Sequence, residues 1–186
     1  LTAAFPIVHL PADTEVLDLS GAWPERGAVW SIGRYDERRG VYTHPLFGGV
    51  RCLHVGVDLG GPVGTPVHAW ADGVVRYVGV NAAAGDYGPT VVTEHTLDGR
   101  PVFVLHGHLS AASLGQSPVG RALRGGDVIG WLGAPHENGG WPPHVHVQLA
   151  WADPGGPDMP GVVDPADRDA ALARYPDPRR VLGPLW

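Results

Sequence analysis

TVVTEHTLDGRPVFVLHGHLS, residues 90–110, holds two β-rich runs on either side of Asp98-Gly99 and closes on the histidine pair His106-Gly107-His108. Asp-Gly between two such runs is a strong short-range signal for a hairpin, so the two runs are expected to pair antiparallel. Outward from there the same grammar repeats. PVHAW, GVVRYVGV, DVIGWLG and HVHVQLAW are short β-rich runs separated by Gly, Asp and Pro, and Asp72-Gly73 reads as a second hairpin turn. The expectation is a mainly β chain built on antiparallel sheet.

Histidine is placed along these runs at ligand spacing. His106 and His108 form one pair and His144-Val145-His146 another, both downstream of His54-Val55-Gly56-Val57-Asp58. In an extended strand, residues i and i+2 face the same way with Cα atoms roughly 6–7 Å apart, so a pair can present two imidazoles side by side. Hydrolytic zinc sites take three protein ligands from His, Asp, Glu and Cys and leave a fourth position open. His54, Asp58 and one member of a pair complete such a set; spacing alone does not choose the member. A straight strand would hold His54 and Asp58 about 13 Å apart, so the chain must bend. Gly56, Gly60 and Gly61 supply the freedom for that bend. A helical turn fits this β-branched, glycine-rich run poorly. Any one of the ten histidines is by itself an ordinary surface or core residue.

Composition sets limits on the function. The 186 residues suffice for one domain with a real core, and no apolar run is long enough to span a membrane. A formal charge of −6 with scattered arginines argues against a nucleic-acid surface. All 13 basic residues are Arg. Without lysine there is no Schiff base, and a β-barrel carrier of biotinyl or lipoyl type is excluded. Cys52, the single cysteine, makes no internal disulfide; it is a conceivable fourth ligand, with burial the expected role.

Residues 1–50 carry prolines at 6, 11, 24 and 45 and a charged DERRG turn, and read as an irregular lead-in without chemistry of its own. Residues 51–151 are the expected catalytic β core and 152–186 a C-terminal extension of the same domain. In that extension DPADRDAALARY is the best helix candidate, with Asp164 as cap and Pro165 in the first turn, and PDPRRVLGPLW should then run irregularly. The start lacks the basic and apolar regions of a secretory signal but opens on Leu rather than Met. The cytoplasm is slightly favoured, with periplasmic and extracellular locations open.

His54-x3-Asp58, HGHLS and PHVHVQL, in this order, resemble the lysostaphin-type zinc metallopeptidases, which include the cell-wall endopeptidases. GPVGTPVHAWADGVVRYVG and GDVIGWLG resemble further segments of that family, over about residues 52–150. A closer similarity, through DYGPTVVTEHTL, HGHLSAASL, ENGGWPPHVHVQL and PDMPGV, is to the peptidase-like module that lies between kinase-like and aminotransferase domains in large fusion proteins; FPIV and VLDLS extend it into the lead-in.

The resemblance implies the antiparallel β fold of these peptidases, Zn2+ as cofactor, His54, Asp58 and His146 as its ligands, and His108 and His144 as catalytic histidines around a metal-activated water. His106 falls where the family commonly has an aromatic residue and is read as pocket-lining or structural; Val147 replaces another aromatic. Tyr87, Asn138 and Trp141, with His106, are the candidate substrate contacts, while packing in a Trp-Pro-Pro turn is an equal alternative for the loop. The HExxH signature of helical zinc proteases is missing. The expected function is hydrolysis of peptides, of peptidoglycan type or glycine-rich. The alternative is a zinc-binding regulatory module of a multidomain enzyme that has lost proteolysis.

Overall fold

Leu97 pairs with Arg100 across Asp98 and Gly99, whose φ angles of 52° and 77° give the left-handed pair that a tight hairpin turn requires. In this computed structural model, which describes residues 4–24 and 29–186, the turn joins the two long central strands. Residues 1–3 and 25–28 of the lead-in lie outside the described residues.

In chain order the strands are β1 (Glu15–Val16), β2 (Ser31–Gly33), β3 (Glu37–Arg38), β4 (Leu53–His54), β5 (Val57–Gly60), β6 (Pro66–His68), β7 (Gly73–Asn81), β8 (Gly88–Leu97) and β9 (Arg100–Gly107). There follow β10 (Ala122–Leu123), β11 (Val128–Trp131), β12 (His144–Ala150) and β13 (Val162–Val163). The large sheet runs β1-β2-β5-β12-β9-β8-β7-β10, beside a pair β11-β6 and a trio β13-β4-β3. All pairs are antiparallel except β1 with β2.

The central strands of the large sheet, β8, β9 and β12, are buried on both faces. Strand alternation sends Val102 and Val104 of β9 and Val145, Val147 and Leu149 of β12 into one apolar cluster, and Phe103, Leu105 and Ala150 into another. At roughly 25 cal/mol per Å2 of apolar surface removed from water, these two clusters carry the main favourable term in folding.

Four local expectations are corrected. The lead-in is largely irregular, as expected, but is more than a wrap: β1 and β2 extend the large sheet, β3 pairs with β4, and Ile7 and Val8 enter the core. Asp72-Gly73 closes no hairpin, because β6 pairs with β11 and the chain crosses there into β7 of the large sheet. A short helix not foreseen, α1 (Ala112–Gln116), follows the second run of the hairpin. At the C-terminus Asp164 caps a 3-10 turn, Pro165–Asp167, leading into α2 (Arg168–Arg174), and α3 (Arg179–Leu182) orders a stretch expected to be irregular.

Candidate metal centre

His54 ends β4 in the trio, and Asp58 sits in β5 of the large sheet. Between them Val55 and Gly56 carry the chain from one sheet to the other, and this break brings His54 Nε2 to 3.3 Å from Asp58 Oδ1. The bend expected from the glycines is present. Gly56 also makes room, since a Cβ there would lie 2.3 Å from Cε1 of His146.

Three donor atoms converge. His146 Nδ1 lies 3.0 Å from His54 Nε2 and 3.0 Å from Asp58 Oδ1, closing a triangle with the 3.3 Å side. Each nitrogen's state is set from behind. His54 Nδ1 donates to the Arg34 carbonyl at 2.9 Å, leaving the lone pair on Nε2. Gln148 donates through Nε2 to the Pro160 carbonyl, which turns its Oε1 toward His146 Nε2 at 3.0 Å. That oxygen can only accept, so His146 is protonated at Nε2 and presents a lone pair at Nδ1. Two imidazole lone pairs and a carboxylate oxygen thus crowd together with no proton to share, which is unfavourable unless a cation lies among them. Ligand bonds of about 2.0–2.2 Å around a tetrahedral ion give edges of about 3.3–3.6 Å, a few tenths of an ångström longer than the sides of this triangle. The donor set fits zinc.

Two further histidines stand beside this group. His144 Nδ1 donates to the Pro142 carbonyl at 2.7 Å, and its Nε2 lies 3.8 Å from Asp58 Oδ1. His108 Nδ1 donates to the Asn138 carbonyl at 2.8 Å, and its ring centre is 4.3 Å from that of His144. Burial, reinforced by the neighbouring imidazoles, holds the pKa of His108 well below the ordinary value; burial also lowers His144. Burial lowers His54 to about 4, with Arg39 adding to the effect. Burial alone would raise Asp58, but its positive partners outweigh it, His54 and His144 when protonated and Arg39 at every pH, and keep the carboxylate ionised. Neutral imidazoles beside an ionised carboxylate are the protonation states that metal binding needs.

The pair geometry holds for one pair and fails for the other. His144 and His146 lie on the same face of β12 and both reach the centre. His106 is still within β9, opposite Val147, and points with Val147 to the far side of the sheet. It is 0% exposed, its Nδ1 donates to the Val91 carbonyl at 3.2 Å, and its Nε2 has no partner among the described residues. The pocket role expected for His106 is therefore corrected. His108 comes after the strand ends and takes φ 63°, a left-handed conformation uncommon outside glycine, which breaks the alternation and turns its ring to the other face.

A cleft of about 680 Å3 opens over the centre, with Tyr42, Phe47, Tyr87, Trp141, His108 and His144 among its lining residues. Tyr87 donates its hydroxyl to the Met159 carbonyl, and Trp141 its indole N–H to the Gly85 carbonyl. Asn138 does not line the cleft. Fully buried, its side chain donates to the Gly133 and Trp141 carbonyls and accepts from the Gly140 and Trp141 amides, so it shapes the loop that carries Trp141. Cys52 is half-buried and outside the donor group.

The sequence reading missed Gln148, Tyr42 and Arg39. Gln148 had a signal, lying two residues beyond His146 on the same face of a strand. Arg39, whose Nη1 lies 2.6 Å from Asp58 Oδ2, had none, sitting in a charged run that read as a turn.

Residues 53–156, which contain all five of these histidine and aspartate side chains, match Peptidase family M23, and the chain belongs to that family of zinc-dependent metallopeptidases. Among curated relatives it is similar to the DD-carboxypeptidase/endopeptidase Mpg of Neisseria meningitidis serogroup B (strain ATCC 13091 / M2091), 37% identical over 136 residues, and equally to that of Neisseria gonorrhoeae. The match takes in 73% of this chain and 28% of the relative, so the chain spans less than a third of those proteins. The catalytic domain of lysostaphin from Staphylococcus simulans is similar in fold, with TM-score 0.51 and 21% identity over 75% of this chain and 91% of that one. A mutant catalytic domain of the prophage-encoded M23 protein EnpA from Enterococcus faecalis gives 0.50 and 24% over 77% and 94%. Among the described residues no helix is long and apolar enough to cross a membrane.

Proposed function

We propose that this chain is a single zinc metalloendopeptidase domain that hydrolyses peptide bonds, with cross-links or stem peptides of peptidoglycan as the substrate class. The observation that carries the reading is the convergence of His54 Nε2, Asp58 Oδ1 and His146 Nδ1 on the floor of a cleft beside two neutral histidines. The relatives named for DD-carboxypeptidase and endopeptidase activity support the substrate class.

When bound by His54, Asp58 and His146, zinc supplies a Lewis acid that polarises a peptide carbonyl and acidifies water. Everything else is done by the chain. His144, neutral and fixed through Nδ1 on Pro142, accepts the proton of the attacking water at Nε2. His144 can then hand that proton from Nε2 to the leaving nitrogen. His108, whose Nδ1 proton is engaged on Asn138, keeps Nε2 as an acceptor and stabilises or helps protonate the tetrahedral intermediate only once it has itself taken up a proton there. Their Nδ1 contacts hold both rings at fixed tautomer, so neither has to reorganise as the proton moves. Tyr87 and Trp141 are the proposed substrate walls.

The test is to incubate the zinc-loaded protein with peptidoglycan-derived and glycine-rich peptides and read the products by mass spectrometry. New amide-bond cleavage that stops on chelation is expected. A protein that binds zinc and cleaves nothing in the panel would instead be the non-proteolytic module of a multidomain enzyme.

A further inference from the structure

We propose that Arg39 is a positioning residue of the metal centre, dividing the two oxygens of Asp58 so that Oδ1 alone is offered to the ion. The inference rests on the metal-centre reading above and concerns a residue outside the segment that matches the family.

The two oxygens of Asp58 have different partners. Oδ1 faces the histidine nitrogens at 3.0 and 3.3 Å, whereas Oδ2 is 2.6 Å from Nη1 of Arg39. The guanidinium is 3% exposed and is held on every side: Nε on Glu37 Oε2 at 3.0 Å, Nη1 on the Tyr42 hydroxyl at 2.8 Å, and Nη2 on the Arg34 carbonyl at 3.3 Å. Glu37, itself 7% exposed, is pinned in turn by Arg34 and by the Leu19 amide. The Arg34 carbonyl that receives Arg39 is the same one that receives Nδ1 of His54. One short segment, Arg34 to Arg39, therefore orients two of the three ligands. Gly33 gives the pair its space, since a Cβ there would lie 2.7 Å from Arg39 Nη2 and 2.9 Å from Asp58 Oδ2.

A buried charge pair alone would be weak evidence of function, because such pairs also serve packing. What singles this one out is its address on a ligand oxygen. A planar fork satisfies Glu37 and Asp58 together, which a lysine ammonium does less well. Without it Asp58 is free to rotate or to chelate with both oxygens, filling a position that the reaction needs open.

Arg39→Met and Arg39→Lys test this in the full chain. Zinc affinity is measured by chelator competition, coordination by the d–d absorption of the cobalt(II)-loaded protein, and fold by thermal unfolding of the same samples. Arg39→Met should bind zinc about 10–100-fold more weakly, as expected on losing a partner of a ligating group. Its cobalt bands should weaken as a second carboxylate oxygen enters, and Arg39→Lys should recover part of both losses. A folded Arg39→Met with the affinity and spectrum of the parent overturns the proposal. If the single variant does not fold, Glu37→Gln/Arg39→Met removes the buried pair together and frees the same oxygen; if that also fails, Arg39 serves the fold and the proposal is lost. A parent that binds neither ion overturns the metal reading and this inference with it, whereas a binding parent with indifferent variants overturns the inference alone.

Discussion

His146 Nε2 lies 3.0 Å from Gln148 Oε1, two residues along the same strand, and this contact selects Nδ1 as the nitrogen that faces His54 and Asp58. Gln148→Leu keeps the volume and removes the acceptor, so His146 is free to change tautomer and tilt. Zinc affinity should fall about 10–100-fold. Gln148→Glu, which still accepts, should stay closer to the parent in the same chelator competition.

Ligands and proton carriers should separate cleanly. His54→Ala, Asp58→Ala and His146→Ala should lose bound zinc by elemental analysis, since a three-ligand centre does not keep its geometry with two. His108→Ala and His144→Ala should keep zinc and fold while turnover of a cleaved peptide drops about 10²–10⁴-fold. Parent-like turnover in either would remove that histidine from the mechanism.

Gly56→Ala adds one methyl group and no change of charge, yet that carbon would sit 2.3 Å from a ring atom of His146. The ring must move or the strand break must open. The variant should be less stable to heat and bind zinc more weakly than the parent, although every donor atom is still there. Unchanged affinity would mean that the centre tolerates displacement of His146.

His106 gives a pH dependence that can be isolated because its side chain lies on the opposite face of the sheet from His144 and His146. Burial in the core lowers its pKa from 6.5 to about 3. On acidification the unfolded chain takes up this proton first, so stability is complete above pH 6.5 and falls as pH drops toward 3. His106→Phe removes the titrating group. In metal-free protein its denaturant-derived stability should fall less steeply across that window than the parent's, by up to about 1.4 kcal/mol per pH unit. Parallel curves would show that His106 is not held neutral.

What could be read from the sequence was what periodicity and turn chemistry express. The strands β7, β8, β9 and β12 are long enough to alternate, and Asp98-Gly99 marks its own turn. The two-residue strands β1 and β3 contain no period to read, so these short paired stretches within a largely irregular lead-in went unseen. His106 was misplaced because the i, i+2 rule assumes that the strand continues, and a positive φ at His108 is not written in its residue type. The proposed ligands follow from chemistry and family order. Arg39 becomes visible only when β3 pairs with β4 and carries the guanidinium to Asp58.

The break at Val55-Gly56 places the proposed ligands on two separately hydrogen-bonded ladders: His54 belongs to the trio β13-β4-β3, and Asp58 and His146 to the large sheet. An ion held by all three would act as a rivet between them. The amides of Leu53, His54, Val162 and Val163 should then exchange with solvent more slowly in zinc-loaded than in metal-free protein. The β8–β9 hairpin, which lies wholly within one ladder, should exchange alike in both, so the tie would be read as a gain in cooperativity between two halves of the fold.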